Sequence, residues 1–444
     1  MRRAFLAAVV AASGLLAAPA FANGRFPASN AIVFSPTNPD LVILRATYGV
    51  MLSYDYGKTW TWLCEDALGL PPTANEDPSI GITANESVVV GISKGLEVST
   101  DTGCDWTFET QPGLGGQLIK DLVVRPDTPH TILVVTSTEQ QDADAGDAGN
   151  LYAQQVFIST NDGATWAPLG APIDPTAIVT TIEVAASDPQ RLYVSTFRNV
   201  TPRTASVFVS TNAGTTWTEY PTPALNQLTE TSVYIAAVDP NNADLVYARS
   251  EGSSRLFVSS DGAHTWQVAF SLDDEMLGFA LSQDGSTVYL GGANSGLFMA
   301  PSSTLQFQQI SSIDVECLAT HGADLWACSD EKSGFIGGVS HDDGATFTST
   351  LQLNGISGPI VCAAADATAS QCVGAAYQSM CANLGGCLVA DAGAEGGVVE
   401  AGTGRGSATA RSSCGCAVVG GGSAAGALCA TLVGLLALRR RNRT

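Results

Sequence analysis

The residue types that usually carry catalysis are present in this sequence, but their spacing does not bring them together. Four histidines fall in predicted turns, far apart and without metal-ligand spacing: His130, His264, His321 and His341. The sequence contains no HExxH zinc helix and no phosphate loop. These patterns therefore nominate no catalytic residue, no metal ligand and no organic cofactor.

Carboxylates are abundant, with 42 Asp and Glu residues in 444. Hydrolysis of a glycosidic bond needs two carboxylates about 5 to 10 Å apart, and the sequence alone singles out no such pair. One acidic insertion, Asp142 to Asn150 (DADAGDAGN), loosely resembles a calcium loop, but it lacks the alternating ligands and the closing bidentate Glu. A solvated loop is the favoured interpretation, and calcium is the one cofactor left open.

Eight cysteines precede residue 414, an even number that indicates disulfides in an exported chain. Cys317 and Cys328 flank LATHGADLWA, and a hairpin turning at Gly322-Ala323 would place them opposite each other on adjacent strands. Cys64 and Cys104 follow or lie within consecutive copies of a repeat, and the repeat predicts them as a second pair.

The remaining four of these cysteines fall in an Ala-rich segment of helical character: Cys362, Cys372, Cys381 and Cys387. This segment is predicted to form a small disulfide-stapled cap. Zinc binding is the alternative, but the eight cysteines contain no CxxC pair and no histidine lies close to these four. Disulfides are therefore favoured over a metal site.

An octapeptide, Ser-x-Asp/Asn-x-Gly-x-Thr-Trp/Phe, recurs six times and predicts the elements that position everything else. Its serines are Ser53, Ser99, Ser159, Ser210, Ser259 and Ser340; its acidic or amide residues are Asp55, Asp101, Asn161, Asn212, Asp261 and Asp342; its glycines are Gly57, Gly103, Gly163, Gly214 and Gly344; its aromatic residues are Trp60, Trp106, Trp166, Trp217, Trp266 and Phe347. Asp105 replaces Thr in the second copy, and Ala263 replaces Gly in the fifth.

Each copy lies between two apolar, strand-like runs, so it is predicted to be a hairpin turn. The Asp or Asn side chain can accept bonds from nearby backbone N–H groups, and Gly supplies a positive φ. The Ser and Thr hydroxyls can close the same turn, while the aromatic ring packs between neighbouring sheets. The aspartates therefore have a structural interpretation and are poor candidates for a catalytic acid.

Successive copies start 46, 60, 51, 49 and 81 residues apart, and the last gap leaves room for one degenerate unit at Leu297 to Phe307. A turn followed by a strand accompanies every unit: Pro36 to Leu44, Thr83 to Val90, Pro126 to Val135, Asp188 to Val194, Asp239 to Ala248, Gln283 to Leu290 and Thr320 to Ala327. Seven units of four short strands predict an all-β, seven-bladed β-propeller. A solenoid is the competing repeat architecture, although its coils are usually shorter.

The octapeptide resembles the Asp-box, or BNR, repeat, and the resemblance covers roughly Ala31 to Leu353. Asp-box propellers include sialidases, oligoxyloglucan hydrolases, sortilin-type receptors and photosystem II assembly factors. Resemblance to the sialidases would imply an arginine triad, a Tyr activated by Glu, and an Asp acid. Arg25-Phe26-Pro27 is a faint echo of their Arg-Ile-Pro motif, and an extended lead-in is its simpler interpretation. Four arginines lie in or beside predicted strands without evident convergence: Arg45, Arg125, Arg191 and Arg249.

Both ends of the chain indicate export. Residues 1–22 combine Arg2-Arg3, an apolar run and an Ala-Phe-Ala end, which is typical of a secretory signal peptide. Cys414-Gly415-Cys416, the uncharged stretch Ala417 to Leu438 and an arginine cluster follow one another at the other end. This order resembles the C-terminal sorting signals of myxobacterial surface proteins, which would imply removal of the helix and retention at the cell surface through a lipidated Cys. A permanent single-span anchor is the alternative.

Together these patterns predict a signal peptide at 1–22, the propeller at 23–358, the Cys-rich cap at 359–389, a Gly/Ala/Ser-rich linker at 390–413 and the sorting signal at 414–444. Without the six arginines at the two ends, 14 basic residues stand against 42 acidic ones, which disfavours nucleic acid as a partner. We expect a monomeric, noncatalytic surface propeller that binds a protein, glycan or matrix partner. The alternative is a glycoside hydrolase of the sialidase or oligoxyloglucan-hydrolase kind.

Overall fold

Seven blades of four antiparallel strands follow one another along the chain, and the four strands of each blade come from one uninterrupted stretch of sequence. A fifth, parallel strand from near the end of the described chain joins the sheet of the first blade. The computed structural model describes residues 29–70, 76–140, 151–252 and 254–386. The predicted seven-bladed propeller is confirmed. We number the sheets blade 1 to blade 7 in chain order.

The strands of blades 1 to 4 are β1 Ser29–Phe34, β2 Val42–Ala46, β3 Gly49–Ser53 and β4 Thr61–Leu63; β5 Ser79–Ile82, β6 Val88–Ile92, β7 Gly95–Ser99 and β8 Thr107–Phe108; β9 Ile119–Val124, β10 Ile132–Gln140, β11 Leu151–Ser159 and β12 Ala167–Pro168; β13 Ile178–Val184, β14 Leu192–Arg198, β15 Thr204–Ser210 and β16 Thr218–Pro221. Those of blades 5 to 7 are β17 Val233–Val238, β18 Val246–Ser250, β19 Arg255–Ser259 and β20 Gln267–Ser271; β21 Gly278–Leu281, β22 Thr287–Gly292, β23 Gly296–Pro301 and β24 Gln308–Ser311; β25 Cys317–His321, β26 Asp324–Cys328, β27 Gly337–Ser340 and β28 Thr348–Leu351.

The first strand of every blade contacts the first strand of the next, from β1 through β25 and back to β1, so these strands line a central channel. The second and third strands are almost wholly buried, as in β6 and β7, because apolar side chains on both sheet faces pack against neighbouring blades. Most fourth strands are short and exposed, as in β8 and β12, which places them at the rim; β4 of blade 1 is the buried exception. Burial is therefore greatest in the second and third strands, while the first strands are partly buried, as in β1 and β9.

Among the described strands, none is shared between blades 7 and 1, and side chains connect the two blades at this seam. Phe34 of blade 1 stacks on His321 of blade 7 with ring centroids 4.5 Å apart. The Tyr56 hydroxyl donates to Asp324 Oδ2 at 2.8 Å, and Trp60 Nε1 donates to the carbonyl of Thr350 at 3.0 Å. The seam is therefore held by aromatic packing and a few long-range hydrogen bonds.

The six octapeptide turns share one hydrogen-bonding scheme. In the first copy, Ser53 Oγ donates to Asp55 Oδ1 at 2.8 Å and accepts from Gly57 N at 2.8 Å. Asp55 Oδ1 also accepts from Thr59 N at 2.8 Å, and Trp60 Nε1 donates to the Gly57 carbonyl at 3.0 Å. The Ser-to-Asx and Gly-to-Ser bonds recur at the second, third, fourth and sixth copies. Each turn thus satisfies its own backbone donors.

The fifth copy keeps this scheme despite its altered sequence. Ala263 N donates to Ser259 Oγ at 2.9 Å, as glycine does elsewhere. Gly262 and Ala263 have φ values of +70° and +71°, so alanine accepts a left-handed conformation at the position glycine usually fills. Blade 6 lacks the octapeptide, as its degenerate sequence predicted, and a plain turn in which Leu305 N donates to the Pro301 carbonyl at 2.9 Å joins β23 to β24.

Antiparallel pairing places the octapeptide turns and the turns between first and second strands at the same end of the ring, which we call the turn face. Backbone bonds join the two sets, for example Tyr56 N to the Asp40 carbonyl at 2.9 Å and Gly262 N to the Asp244 carbonyl at 2.9 Å. The other end, the connection face, carries the hairpins between second and third strands and the connections between blades.

A C-terminal segment, residues 357–386, runs along the outer edges of blades 1 and 2. It contains β29 Gly358–Pro359, which pairs in parallel with β4, and two short helices, α1 Ala367–Cys372 and α2 Ala375–Asn383. The predicted disulfide-stapled cap is therefore present. Among the described residues, no helix has both the length and the apolar character needed to cross a bilayer.

Three disulfides are formed between described cysteines. The predicted Cys317–Cys328 pair is present, on directly opposed positions of β25 and β26. The predicted pairing of Cys64 with Cys104 is wrong: the bonds are Cys64–Cys372 and Cys104–Cys362. The reason is that β29 lies against the outer edge of blade 1, so the segment after it passes both cysteines and supplies a partner to each.

Cys381 is also disulfide-bonded, and Cys387, its remaining candidate partner, lies outside the described residues. Four other predictions fall outside them as well: the signal peptide with Arg25-Phe26-Pro27, the acidic insertion Asp142 to Asn150, the linker, and the sorting signal with Cys414 and Cys416.

Candidate functional site

Charged side chains from several blades converge on the central channel and form the candidate site. We call the following set the channel cluster: Arg45, Lys120, Asp121, Glu183, Tyr234, Arg249 and Glu251. Electrostatic interactions link Asp121 of blade 3 with Arg45 of blade 1 and with Glu183 of blade 4. Lys120 likewise interacts with Glu251 of blade 5. The channel thus brings together residues far apart in sequence.

Asp121 follows a bulge in β9 and joins blade 3 to blade 4. Its Oδ2 accepts from Ile182 N of β13 at 3.0 Å, and its Oδ1 accepts from Leu122 N at 2.9 Å. Thr181 follows the corresponding bulge in β13, and its hydroxyl accepts from Ile235 N of β17 at 3.1 Å. A neutral hydroxyl thus makes the equivalent hydrogen bond between blades 4 and 5. The Asp121 carboxylate therefore has a structural role, because its hydrogen bond connects blades 3 and 4.

The two channel carboxyls of blades 3 and 4 titrate well above their ordinary range. Burial raises the pKa of Asp121 to about 6, although the two N–H groups and nearby cations oppose the shift. Burial and the neighbouring Asp121 raise the pKa of Glu183 to about 8. Glu183 is therefore protonated at neutral pH, and the pair resembles the unequal carboxyls from which acid–base catalysts are built.

Tyr234 and Glu251 form the second pair of the cluster. The Tyr234 hydroxyl donates to Glu251 Oε1 at 3.2 Å, while Ser232 Oγ and Thr231 Oγ1 donate to Oε2 at 2.5 and 2.7 Å. Burial raises the pKa of Glu251, but these three bonds outweigh it and leave the pKa below its ordinary value. Burial and the Glu251 charge raise the pKa of Tyr234 well above its ordinary value. The pair consists of an ionised carboxylate beside a neutral phenol.

The four arginines singled out in the sequence do not form one group, since two belong to the channel cluster and two lie elsewhere. Arg125 and Arg191 lie at the turn face, where they pair with Asp127 at 2.9 Å and Asp244 at 2.6 Å respectively. Arg45 and Arg249 occupy equivalent positions in β2 and β18 and donate to carbonyl groups of the connections that lead to the next blade, those of Pro78 and Met276. Both channel arginines therefore serve as ties.

The four histidines also lie apart from one another and make different contacts. His130 contacts Asp162 at 3.0 Å and His341 contacts Asp324 at 2.6 Å, both at the turn face. His264 packs edge-on against a tyrosine ring, and His321 belongs to the seam. Within the described ranges, one group of three potential metal ligands lies close together, Cys104, Cys362 and Asp366. Its two sulfurs are joined to each other, so they are not available as thiolate ligands.

Lys120, Asp121, Glu183, Tyr234 and Glu251 were not identified from the sequence. For three of them the sequence does contain a signal. Lys-Asp in IKDLVV and Glu in IVTTIEV interrupt first strands that are otherwise apolar or uncharged. A charge inside a predicted innermost strand indicates a channel-lining residue.

No family model matches this sequence, and no curated protein matches it. Solved structures with a similar fold include the Niastella koreensis GH74 enzyme, at 15% identity over 73% of this chain and 72% of that chain with a TM-score of 0.29. YCF48 from Cyanidioschyzon merolae is 14% identical over 68% and 92% of the two chains, with a TM-score of 0.46. The Cps50 (Swd1) β-propeller domain of Myceliophteria thermophila is 11% identical over 70% and 96%, with a TM-score of 0.44. The likeness concerns the propeller fold alone.

Proposed function

We propose that this chain is a noncatalytic, exported Asp-box propeller, held at the cell surface, that binds a protein, glycan or matrix partner. The observation that carries the proposal is the use of the channel arginines. Arg45 and Arg249 each donate to the carbonyl of a connection between blades, so their guanidinium groups hold the ring together. Asp121 makes a similar tie between blades 3 and 4.

The connection face offers a surface suited to binding. Leu228 is 93% exposed and Val200 is 53% exposed, on neighbouring loops of blades 4 and 5. Gln227 holds these loops together, because its Oε1 accepts from Arg203 N at 2.7 Å and its Nε2 donates to the Arg203 carbonyl at 3.0 Å. Exposed apolar side chains on a fixed loop are typical of interaction surfaces.

Three disulfides between described cysteines support export, because such bonds persist in oxidising compartments. Retention at the membrane through the C-terminal helix or a processed lipid anchor rests on the sequence motif alone. A monomer and a calcium-free ring complete the proposal, with the acidic insertion as the one place left open for calcium.

Affinity capture from cell-surface extracts and a glycan array test the proposal directly. We expect a partner that binds the purified chain. Leu228→Asp should weaken its affinity at least tenfold, because a charge at the centre of an apolar contact is costly to bury. Tyr54→Ala, which changes an exposed aromatic residue of the turn face, is the matched control and should bind normally. If the partner binds both variants as tightly as it binds the parent chain, the assigned surface is wrong.

A glycoside hydrolase is the second candidate, and the Tyr234–Glu251 pair favours it. A phenol donating to a carboxylate, near Asp121 with its raised pKa, is the arrangement that resemblance to the sialidases implies. The Glu251 carboxylate would act as the base that takes the Tyr234 proton as the phenol attacks a sugar.

Turnover of fluorogenic sialosides and of xyloglucan oligosaccharides separates the two candidates. If hydrolysis occurs and falls at least a hundredfold in both Tyr234→Phe and Glu251→Gln, the chain is an enzyme. If the parent chain turns over neither substrate class, the scaffold proposal stands. Circular dichroism of each variant ensures that a loss of turnover is not a loss of folding.

A further inference from the structure

We propose that the Cys104–Cys362 disulfide is a site of thiol–disulfide exchange that reacts preferentially with small, positively charged thiols. The three described disulfides differ in access. Cys104 and Cys362 are both partly exposed, whereas the Cys64–Cys372 pair is 3% and 1% exposed and the Cys317–Cys328 pair is 7% and 0% exposed. An attacking thiolate must approach a sulfur along the S–S axis, so access decides which bond reacts first.

A groove gives a small molecule room beside this bond. Cys362 lines an open groove of about 700 Å³ together with Pro359, Ala369 and Val373. Val361, next to Cys362 in the chain, lines it too and is 88% exposed. The groove is mostly apolar and could hold the short carbon chain of a small thiol next to the sulfur atoms.

Carboxylates surround the same bond and set the preferred charge of the thiol. A carboxylate oxygen of Asp366 lies within 4.8 Å of both sulfurs. Asp101 Oδ1 accepts from Cys104 N at 3.0 Å, and Asp105 Oδ1 accepts from Ala367 N at 3.1 Å, so two further carboxyls lie on either side. Such negative charge attracts an ammonium-bearing thiol and repels a carboxylate-bearing or sulfonate-bearing one.

The exchange is balanced without any further reactant. The thiolate of the incoming aminothiol attacks one sulfur, the Cys104–Cys362 bond breaks, and the other cysteine leaves as a thiolate. A second aminothiol then attacks the mixed disulfide, which leaves two protein thiols and one small disulfide. The small thiol is oxidised and the protein bond is reduced.

Opening this bond unties the C-terminal segment from blade 2 but leaves it fixed to blade 1. Cys64–Cys372 and the pairing of β29 with β4 remain. Thr368 Oγ1 still donates to the Gly103 carbonyl at 2.9 Å, so the segment keeps a weaker hold on blade 2. Exchange therefore breaks one of the two disulfides that attach the C-terminal segment to the blades.

The test compares cysteamine, 2-mercaptoethanol and 2-mercaptoethanesulfonate at equal thiolate concentration and low salt, on the full chain under native conditions. Timed alkylation and peptide mass spectrometry report which cysteines have opened. We expect labelling of Cys104 and Cys362 first, with cysteamine at least about tenfold faster than the sulfonate. One carboxylate at roughly 7 Å in water changes each rate about threefold in opposite directions.

Two further arms make the result decisive. The difference should shrink to about twofold or less in 1 M NaCl, where the Debye length is about 3 Å. Asp366→Asn, whose side-chain oxygen can still accept from Ala363 N, should narrow the difference at low salt without unfolding the segment. Prior opening of any other disulfide, or equal rates for the three thiols at low salt, would overturn the proposal.

Discussion

Removing the two disulfides of the C-terminal segment should destabilise the ring by amounts that do not add. The loops closed by Cys64–Cys372 and Cys104–Cys362 are nested, with sequence separations of 308 and 258. While one of these bonds is intact, the other closes an additional loop of only about 50 residues, which is the difference between the two separations. The chain-entropy model assigns such a loop about 4 kcal/mol at 25 °C, and the 308-residue loop about 6 kcal/mol.

We therefore expect Cys104→Ala/Cys362→Ala to lower the free energy of unfolding by about 4 kcal/mol. Cys64→Ala/Cys372→Ala should lower the free energy of unfolding by about 1 kcal/mol more than the first variant does, because this pair is buried and its removal also leaves a cavity. The quadruple variant should lose about 11 kcal/mol, roughly 2 more than the losses of the two double variants added together. Such a loss approaches the whole stability of a typical domain, about 5 to 15 kcal/mol.

Urea unfolding of the non-reduced proteins, analysed by linear extrapolation, measures these differences. Cys317→Ala/Cys328→Ala is the matched control, since it closes a local hairpin with a separation of 11 and is expected to cost about 3 kcal/mol. If each segment variant loses under about 1 kcal/mol, or if the quadruple variant equals the sum of the two, the nested-loop reasoning fails.

Three further substitutions probe the turns and the blade interfaces. Gly57→Ala should cost about 1 to 3 kcal/mol by thermal unfolding, because its Cβ would lie 2.7 Å from the ring of Trp326, whereas Ala263→Gly in the equivalent turn should change stability by less than about 1 kcal/mol; equal effects would contradict this. Glu97 is 0% exposed with both carboxylate oxygens lacking a hydrogen bond, and burial raises its pKa to about 8. The unfolded chain releases this proton near pH 4.5 and the folded one near pH 8, so the stability that Glu97 contributes falls as pH rises between these values. In Glu97→Gln the free energy of unfolding should therefore decline less steeply with pH and should exceed that of the parent by about 2 kcal/mol or more at pH 8. Urea unfolding at a series of pH values measures this, and an unchanged pH dependence would refute the assignment.

The blades were predictable from the sequence because each is encoded locally. The octapeptide brings its own donors and acceptors within eight residues, so its turn forms wherever Ser53 or its counterparts occur. The Cys317–Cys328 pair was predictable for the same reason, since 11 residues of hairpin determine it.

Features that depend on ring closure were not predictable. Cys64 finds its partner 308 residues away, because the segment after blade 7 returns to the edge of blade 1. The channel cluster is similar in kind: Asp121 acquires its bond to Ile182 N only once blades 3 and 4 stand side by side. Periodicity in a sequence predicts the units of a propeller, but not which side chains meet at its centre.

The uninterrupted blades have an architectural consequence. The four antiparallel strands of every blade are contiguous in the sequence, so all seven blades survive a break at any connection between them. Linking residue 386 to residue 29 and opening the chain between blades 3 and 4 would yield a circular permutant of the described chain with all seven blades intact. The same property allows units to be duplicated or lost one at a time, and blade 6, which folds without the octapeptide, shows how far a single unit can diverge while the circle stays whole.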